Sequence, residues 1–470
     1  MKYPGKSVLV IDHGIFTELA ASLVKDFDNV YYFVNWADAF PSSVKQKIGI
    51  DFKGLKRVNS MWDYVDRVDL VVSFDTYFGD LMDYLRTKGY RVWGAGRAED
   101  MELKRWEMRL NQYYEDMPTQ ATIKLTSIED LETYLQGIEE QTKEIYGKAD
   151  PYICDKKWAQ LMDKYDGFEK FYIAGDMDTL KKEFYKGAKK KFVKSNTRGD
   201  IETFFAPDYH DSISKINALT DKLGHRGDAA EIEFIIEESH DGYEPGFDGI
   251  QIDGEYLSPT LWGFEKKGSG YIGRVCDYAD LPEHMQVQNK QMGDILKDFT
   301  PTRSFMSTEY IIGQDMKPYL IDPTIRNPAP VGSAIYSELY TNLAEIIYEG
   351  AAGHVVTPKM YPCKYVAGFC MESDWAQEHE LEVEFPKEIE RWVKFRKAYQ
   401  CNGKYYAMPG FTSVVSVIAF GNSIEQVIKL IDERVKLVKG YELSSNHSLL
   451  KIKQMIDKIK EDGIIKEKEF

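Results

Sequence analysis

The 470-residue sequence is short of several things, and each shortage removes a class of function. Its five cysteines, Cys154, Cys276, Cys363, Cys370 and Cys401, are odd in number and widely spaced. No C-x-x-C pair is among them, so neither a disulfide framework nor a zinc ribbon is expected, and the thiols should be reduced. The eight histidines are scattered, with no H-E-x-x-H, which leaves a zinc hydrolase without a motif. Positive charge is in deficit: 60 Lys and Arg stand against 76 Asp and Glu, a formal charge of -16. Such a surface repels a phosphate backbone, so nucleic acid is not the expected partner. No run of eighteen apolar residues is present, and the opening "MKYPGKSVLVIDHG" has too short an apolar stretch for a signal peptide. The chain is therefore expected to be soluble and cytoplasmic, with no membrane partner.

What is present reads as an ordinary globular protein of more than one core: 43% hydrophobic residues, frequent aromatics, and no repeat or low-complexity tract. "SVLVID", "NVYYFVN", "VDLVVSFD" and "YRVWGAG" are apolar strands, and "IFTELAASLVKDF" and "YFGDLMDYLRTKG" are helices between them, the second closing on Gly89. Strand and helix alternating over residues 1–100 predict a parallel, doubly wound α/β domain whose strand ends, at Asp12, Asp75 and Gly94 to Gly96, open onto a ligand crevice. A helix "EDMELKRWEMRLN" follows, then a charged, mostly helical segment over 128–188 that reads as an insertion or mobile subdomain. "KKKFVKSN", "AEIEFIIEES", "GFDGIQIDGEYLS", "STEYIIG" and "KPYLIDP" are further strands, forming a predominantly antiparallel α+β region over 101–350. "SAIYSELYTNLAEIIYEGA" is one long amphipathic helix, and "SVVSVIAFG" with "SIEQVIKLIDERVKLV" forms a small third unit within 351–470.

The chemistry lies in "FMSTEYIIGQDMKPYLIDPTIRNPAP", where each of two short apolar strands carries a carboxylate, Glu309 and Asp322. Two antiparallel strands joined by a tight turn bring residues thirteen apart face to face. Opposed carboxylates repel unless a cation lies between them, and magnesium takes one or two carboxylates together with phosphate oxygens and water. Arg326 follows in a loop stiffened by prolines 323, 328 and 330, where a guanidinium grips a carboxylate or phosphate with two hydrogen bonds. Lys194 ends a strand directly before "SNTRGD", a small glycine-containing loop suited to phosphates. Glu237 and Glu238 end another strand, with Glu244 six residues on; backbone groups there suit an adenine edge and the carboxylates suit ribose hydroxyls.

In order, these segments resemble the ATP-grasp superfamily, and within it the phosphoribosylamine-glycine ligase branch, over most of the chain. "VVSFDTYFGDLMDYLRTKGYRVWGAGRAEDMELKRWEM" is similar to that family's second ligand loop, its helix and the stretch ending in a phosphate-binding lysine, here Lys104. "KKFVKSNTRGD" resembles the second lysine strand, "EFIIEES" the adenine hinge, and "STEYIIG…PYLIDPTIRNP" the metal strands and substrate arginine. The resemblance implies a pre-ATP-grasp domain (1–100), an ATP-grasp domain (101–350) with a lid at about 120–240, and a C-terminal α+β domain (351–470). It implies ATP with Mg2+ or Mn2+ as cofactors, held by Lys104, Lys194, Glu237, Glu238 and Glu244 on the nucleotide and by Glu309 and Asp322 on the metal. Asp75, Arg326 and Asn327 would meet the small-molecule carboxylate and amine substrates, with Arg326 and Lys194 catalytic, in a reaction akin to purine biosynthesis.

The sequence also departs from the family. Its first loop reads "DHGIFTELA" rather than glycine-rich with Arg-Glu-His; Thr324 stands where Asn follows the second metal carboxylate; and 128–188 has no counterpart. A catalytically silent ATP-binding or scaffold protein of the same fold is the alternative. A dinucleotide oxidoreductase ranks below both, because no G-x-G-x-x-G follows the first strand.

Overall fold

The computed structural model describes residues 2–34, 46–120, 122–134, 172–173, 191–195, 204–206, 213–217, 233–238, 240, 242–266, 270–313, 316–444, 449–465 and 470. The charged segment 128–188, most of the expected lid and the loop after Ser195 lie largely outside these residues. Contacts divide the chain into two compact units, where the sequence suggested three segments: unit 1 is 1–99, 243–310 and 321–470, and unit 2 is 100–242 and 311–320. Among the described residues no helix is long and apolar enough to cross a membrane, and Cys276, Cys363, Cys370 and Cys401 are free thiols.

Unit 1 begins with the predicted parallel α/β layer: β1 (Tyr3–Asp12), β2 (Phe27–Val34), β3 (Lys56–Val58), β4 (Leu70–Ser73) and β5 (Val92–Trp93). They are ordered 3-2-1-4-5 and are parallel throughout. The apolar run of β1 is buried on both faces, as a parallel strand covered on both sides requires. Leu9 and Ile11 share one cluster with Val71, and with Met82 and Leu85 of the helix Gly79–Thr87. Burial of each such side chain is worth about 2 kcal/mol. Gly89, at φ 86, takes the left-handed conformation that ends this helix. Because neighbours join β1 from opposite directions, the sheet has its switch point between β1 and β4, with the Asp12 and Asp75 loops at its carboxyl end.

Unit 2 carries a five-stranded sheet of β6 (Thr122–Leu125), β7 (Tyr172–Ile173), β8 (Lys191–Ser195), β9 (Phe204–Ala206) and β10 (Phe234–Glu238). Its order is 7-6-10-8-9, and its neighbours are antiparallel. The helix expected over 99–111 is broken at Lys104, whose ψ of 75° leaves the helical region; Asp100–Leu103 and Arg105–Tyr114 lie on either side.

The largest sheet has ten strands: β11 (Gly242–Tyr243), β12 (Pro245–Ile252), β13 (Glu255–Tyr256), β14 (Thr260–Lys266), β15 (Gly270–Cys276), β16 (Arg303–Gly313), β17 (Pro318–Thr324), β18 (Tyr365–Glu372), and two more from the last hundred residues. A separate three-stranded sheet of β19 (Leu381–Val383), β21 (Ala398–Cys401) and β22 (Lys404–Ala407) flanks β20 (Val393–Phe395) in sequence. The large sheet runs β11-β16-β12-β14-β15-β18-β23-β20, with β23 being Ser413–Gly421, β13 paired to β12 and β17 to β16.

Three expectations are corrected here. "GFDGIQIDGEYLS" is a hairpin rather than one strand, because Asp253 and Gly254 both take positive φ, 53° and 87°, the geometry of a two-residue turn. "SVVSVIAFG" does not found a separate small unit: its strand β23 pairs along its length with β18 and extends the large sheet. The single helix "SAIYSELYTNLAEIIYEGA" is two, Val331–Leu339 and Leu343–Gly350. Between them Tyr340 turns extended to bridge Met360, and the Asn342 side chain bonds Lys359 N at 2.7 Å and Thr357 O at 3.1 Å.

Candidate active site

The two carboxylates singled out from the sequence come to one place. β12 pairs antiparallel with β16, setting Gly246 opposite Glu309 and Asp248 opposite Ser307, while β17 pairs with β16 on its other side. Glu309, Asp322, Thr324 and Arg326 all line one cavity of about 410 Å³ within unit 1. Glu244, expected on the nucleotide, lines it too, and so do Asp248, Glu265 and Glu372. Pro328 to Gly332, the proline-rich turn, closes one side. The wall is thus rich in hard oxygen donors, with a guanidinium among them.

The parallel sheet contributes a second cluster at its switch point. Asp12 ends β1 and accepts from Tyr32 Oη at 2.6 Å and from the Phe16 backbone N at 2.9 Å. Burial pushes its carboxyl up, and the charge of Asp75 pushes it further. Asp75 is buried, lies 3.2 Å from His13 Nδ1 and accepts from its neighbour Thr76 N. The His13 ring stacks on Phe78 at 4.4 Å. Asn327 ties the loop after β17 to this cluster, its backbone N donating to Phe74 O at 3.1 Å. Its side chain is 0% exposed, and among the described residues neither polar atom of the amide has a partner. An orphaned amide is costly, which is what a group kept for a ligand shows.

Arg396 is the cation that sequence reading missed. It lies over the Phe411 ring at 3.9 Å and donates to Ser413 Oγ at 3.3 Å, and Ser413 lines the cavity. Burial pulls its pKa down; Arg326 pulls the same way, while Cys370, Asp75 and Asp12 oppose. Those influences place Arg396 in the field of both the cavity arginine and the switch-point carboxylates. Nothing local in "KFRKAY" signals it. Asp248 and Tyr271 were also missed, although glycines inside their strands, at 246 and 273, and at 263 in the strand between them, were a readable sign of close approach.

The remaining expected residues belong to unit 2. Lys104 is exposed and pairs with Asp100 at 2.9 Å. Lys194 sits on β8 opposite Ile235 of β10, and Glu238 opposite Lys191; their side chains are outside the description. Glu237 turns inward: it is 1% exposed and accepts from Arg109 Nε, while Arg109 also donates to Gln112 at 3.0 Å. That engagement commits Glu237 to holding β10 on the helix Arg105–Tyr114.

The fold is that of the ATP-grasp enzymes, as the sequence resemblance implied. The chain is similar to phosphoribosylamine-glycine ligase of Thermotoga maritima, with a TM-score of 0.60 and 13% identity over 93% of this chain and 98% of that one. It is equally similar to the biotin carboxylase domain of Hydrogenobacter thermophilus 2-oxoglutarate carboxylase, solved with MgADP and bicarbonate: TM-score 0.60, 10% identity, 97% and 95% covered. L-amino acid ligase of Bacillus licheniformis gives a TM-score of 0.54 at 13% identity, covering 93% of this chain and 98% of its own. No family model matches the sequence, and no curated protein matches it. At these identities the likeness is one of fold.

Proposed function

We propose that the protein is an ATP-dependent, ADP-forming carboxylate-amine ligase that works through an acyl phosphate. The observation that carries this reading is the meeting of Glu309 and Asp322, from paired strands, in one cavity with Thr324 and Arg326. Among the described residues no group of three or more His, Cys, Asp or Glu forms a metal cluster. Two hard carboxylates without His or Cys fit Mg2+ or Mn2+, ions whose remaining positions are taken by phosphate and water. When bound, Mg-ATP supplies the phosphoryl group and the ion offsets its charge.

The chain's own residues would bind and orient. Arg326, on its proline-stiffened turn, would grip the acid's carboxylate, and Lys104 and Lys194 would hold phosphates as point charges. Glu238 and Glu244 would accept from sugar hydroxyls, and Asp75 and Asn327 would orient the acceptor. Little covalent help is needed, since phosphoryl transfer depends on position and charge. MgADP and bicarbonate bound to the similar biotin carboxylase domain support the nucleotide, the metal and a carboxylate-like substrate.

The test is a matrix of acids and amines incubated with Mg-ATP, followed by ADP release and product mass. Asp322→Asn and Lys194→Ala should each abolish acid- and amine-dependent ADP release with the melting temperature preserved; full activity in both sinks the reading. Thr324, standing where the family carries Asn, favours a second reading, a silent nucleotide-binding protein. That version binds ATP with magnesium and turns over no pair in the matrix.

A further inference from the structure

The cavity contains one pair of side chains that the reaction above does not use. Asp248 is 7% exposed, lines the cavity, and shares its face of the sheet with Glu309. Tyr271 Oη donates to its Oδ2 at 2.8 Å, and Ser307 donates as well. Both donors are neutral, and among the described residues no Lys or Arg is paired with Asp248. Burial pushes its carboxyl up to about 6. A carboxylate in this position lacks the counter-charge that buried ions ordinarily have.

The pair is constructed at some cost to the sheet. Tyr271 stands on β15 and Asp248 on β12, with β14 between them. The phenol crosses β14 because glycine occupies the crossing. A Cβ on Gly263 would stand 2.9 Å from Tyr271 Cζ, and one on Gly273 2.6 Å from its Cε1. Gly246, Gly263 and Gly273 face one another across the three strands, leaving a bare floor under the ring. Glycine weakens a strand interior, and three in register mark a place where something else must approach. With its proton given to Asp248, the Tyr271 oxygen offers lone pairs to a further donor. The surrounding wall carries Glu244, Glu265 and Glu372 besides Glu309 and Asp322, against the single guanidinium of Arg326, a balance of charge that favours a cation beside Asp248.

We propose that Asp248 and Tyr271 form the subsite for the amino group of the nucleophilic substrate, bound as a primary ammonium that passes one proton to the Asp248 carboxylate before its nitrogen attacks. Asp248 carries the counter-charge, and Tyr271 Oη accepts one N–H. A metal ion suits the place less well, because Asp248 is a single carboxylate beside neutral hydroxyls. The inference rests on the ligase reading for its substrate, but its test does not.

The full chain, labelled with 13C at tyrosine Cζ, is titrated without ATP. Tyr271→Phe identifies the signal of Tyr271. Methylammonium and ethanolamine should shift that signal saturably, while tetramethylammonium, which has no N–H, and acetate should not. Asp248→Asn keeps an acceptor for Tyr271 and the same size, so it should fold, yet weaken methylammonium binding by roughly tenfold or more. Unshifted Tyr271 with both amines, undiminished binding in Asp248→Asn, or Mg2+ giving the same shift in competition with methylammonium each overturns the proposal. ADP release in the matrix without any ammonium response sinks the subsite alone. Saturable ammonium binding with a silent matrix sinks the ligase reading and leaves the subsite standing.

Discussion

At the scale of the residue, the most consequential group is one whose charge is held at a loss. Burial raises the Asp248 carboxyl from 3.8 to about 6, with the Tyr271 and Ser307 hydrogen bonds opposing. A raised acid favours the folded state only while protonated: that stability is present below pH 4 and is lost as pH rises to about 6. At pH 7 the loss is about 3 kcal/mol at most, taking 1.36 kcal/mol per pH unit. Asp248→Asn should therefore raise the urea midpoint at pH 7 and leave it nearly unchanged at pH 4. Equal effects at both pH values sink the assignment. Tyr336 and Tyr340 also lie within the field of Asp248, as neutral phenols at both pH values.

At the scale of the element, local signals and tertiary demands can be seen competing. Ser423 caps its helix, its Oγ accepting from Gln426 N at 3.2 Å. "SAIYSELYTNLAEIIYEGA" has helical periodicity to its end, yet breaks at Tyr340 to Asn342, where the distant stretch 357–359 offers Asn342 two partners and Glu345 of the next helix a third. Its Oδ1 accepts from Lys359 N, and its Nδ2 donates to Thr357 O and to Glu345. Asn342→Ala removes these bonds and leaves the Lys359 N–H unpaired, a cost of about 1–3 kcal/mol. Chemical denaturation measures it; a variant as stable as the parent shows the break is set by Tyr340 alone. Periodicity reports which face of a helix is apolar, and it carries no information about what a residue 17 positions away will bond.

At the scale of the whole molecule, unit 1 is fastened by charges from four stretches remote in sequence. Lys394 Nζ, on a side chain 5% exposed, lies 2.8 Å from Glu338 and 3.2 Å from Glu18, and Glu18 also meets Lys53 at 2.7 Å. Burial would lower the Lys394 pKa, but Glu18 and Glu338 raise it overall. Lys394→Met leaves the buried Glu18 and the half-buried Glu338 with one partner fewer, and should destabilise unit 1 by about 3 kcal/mol. An unchanged unfolding midpoint would show that Lys53 on Glu18 and Arg391, whose Nε lies 2.6 Å from Glu338, suffice. The sequence by itself determined the parallel layer and the paired strands and loop that carry Glu309, Asp322 and Arg326 to one cavity, since apolar period, turn residues and motif order are properties of neighbours along the chain. Only the tertiary structure decided that β23 joins the large sheet, that Glu237 faces Arg109, that Asp248 and Tyr271 line the cavity, and that Arg396 bonds Ser413 at its edge. Each of those depends on packing or register between elements distant in sequence, where distance across the fold rather than spacing along the chain sets which groups meet.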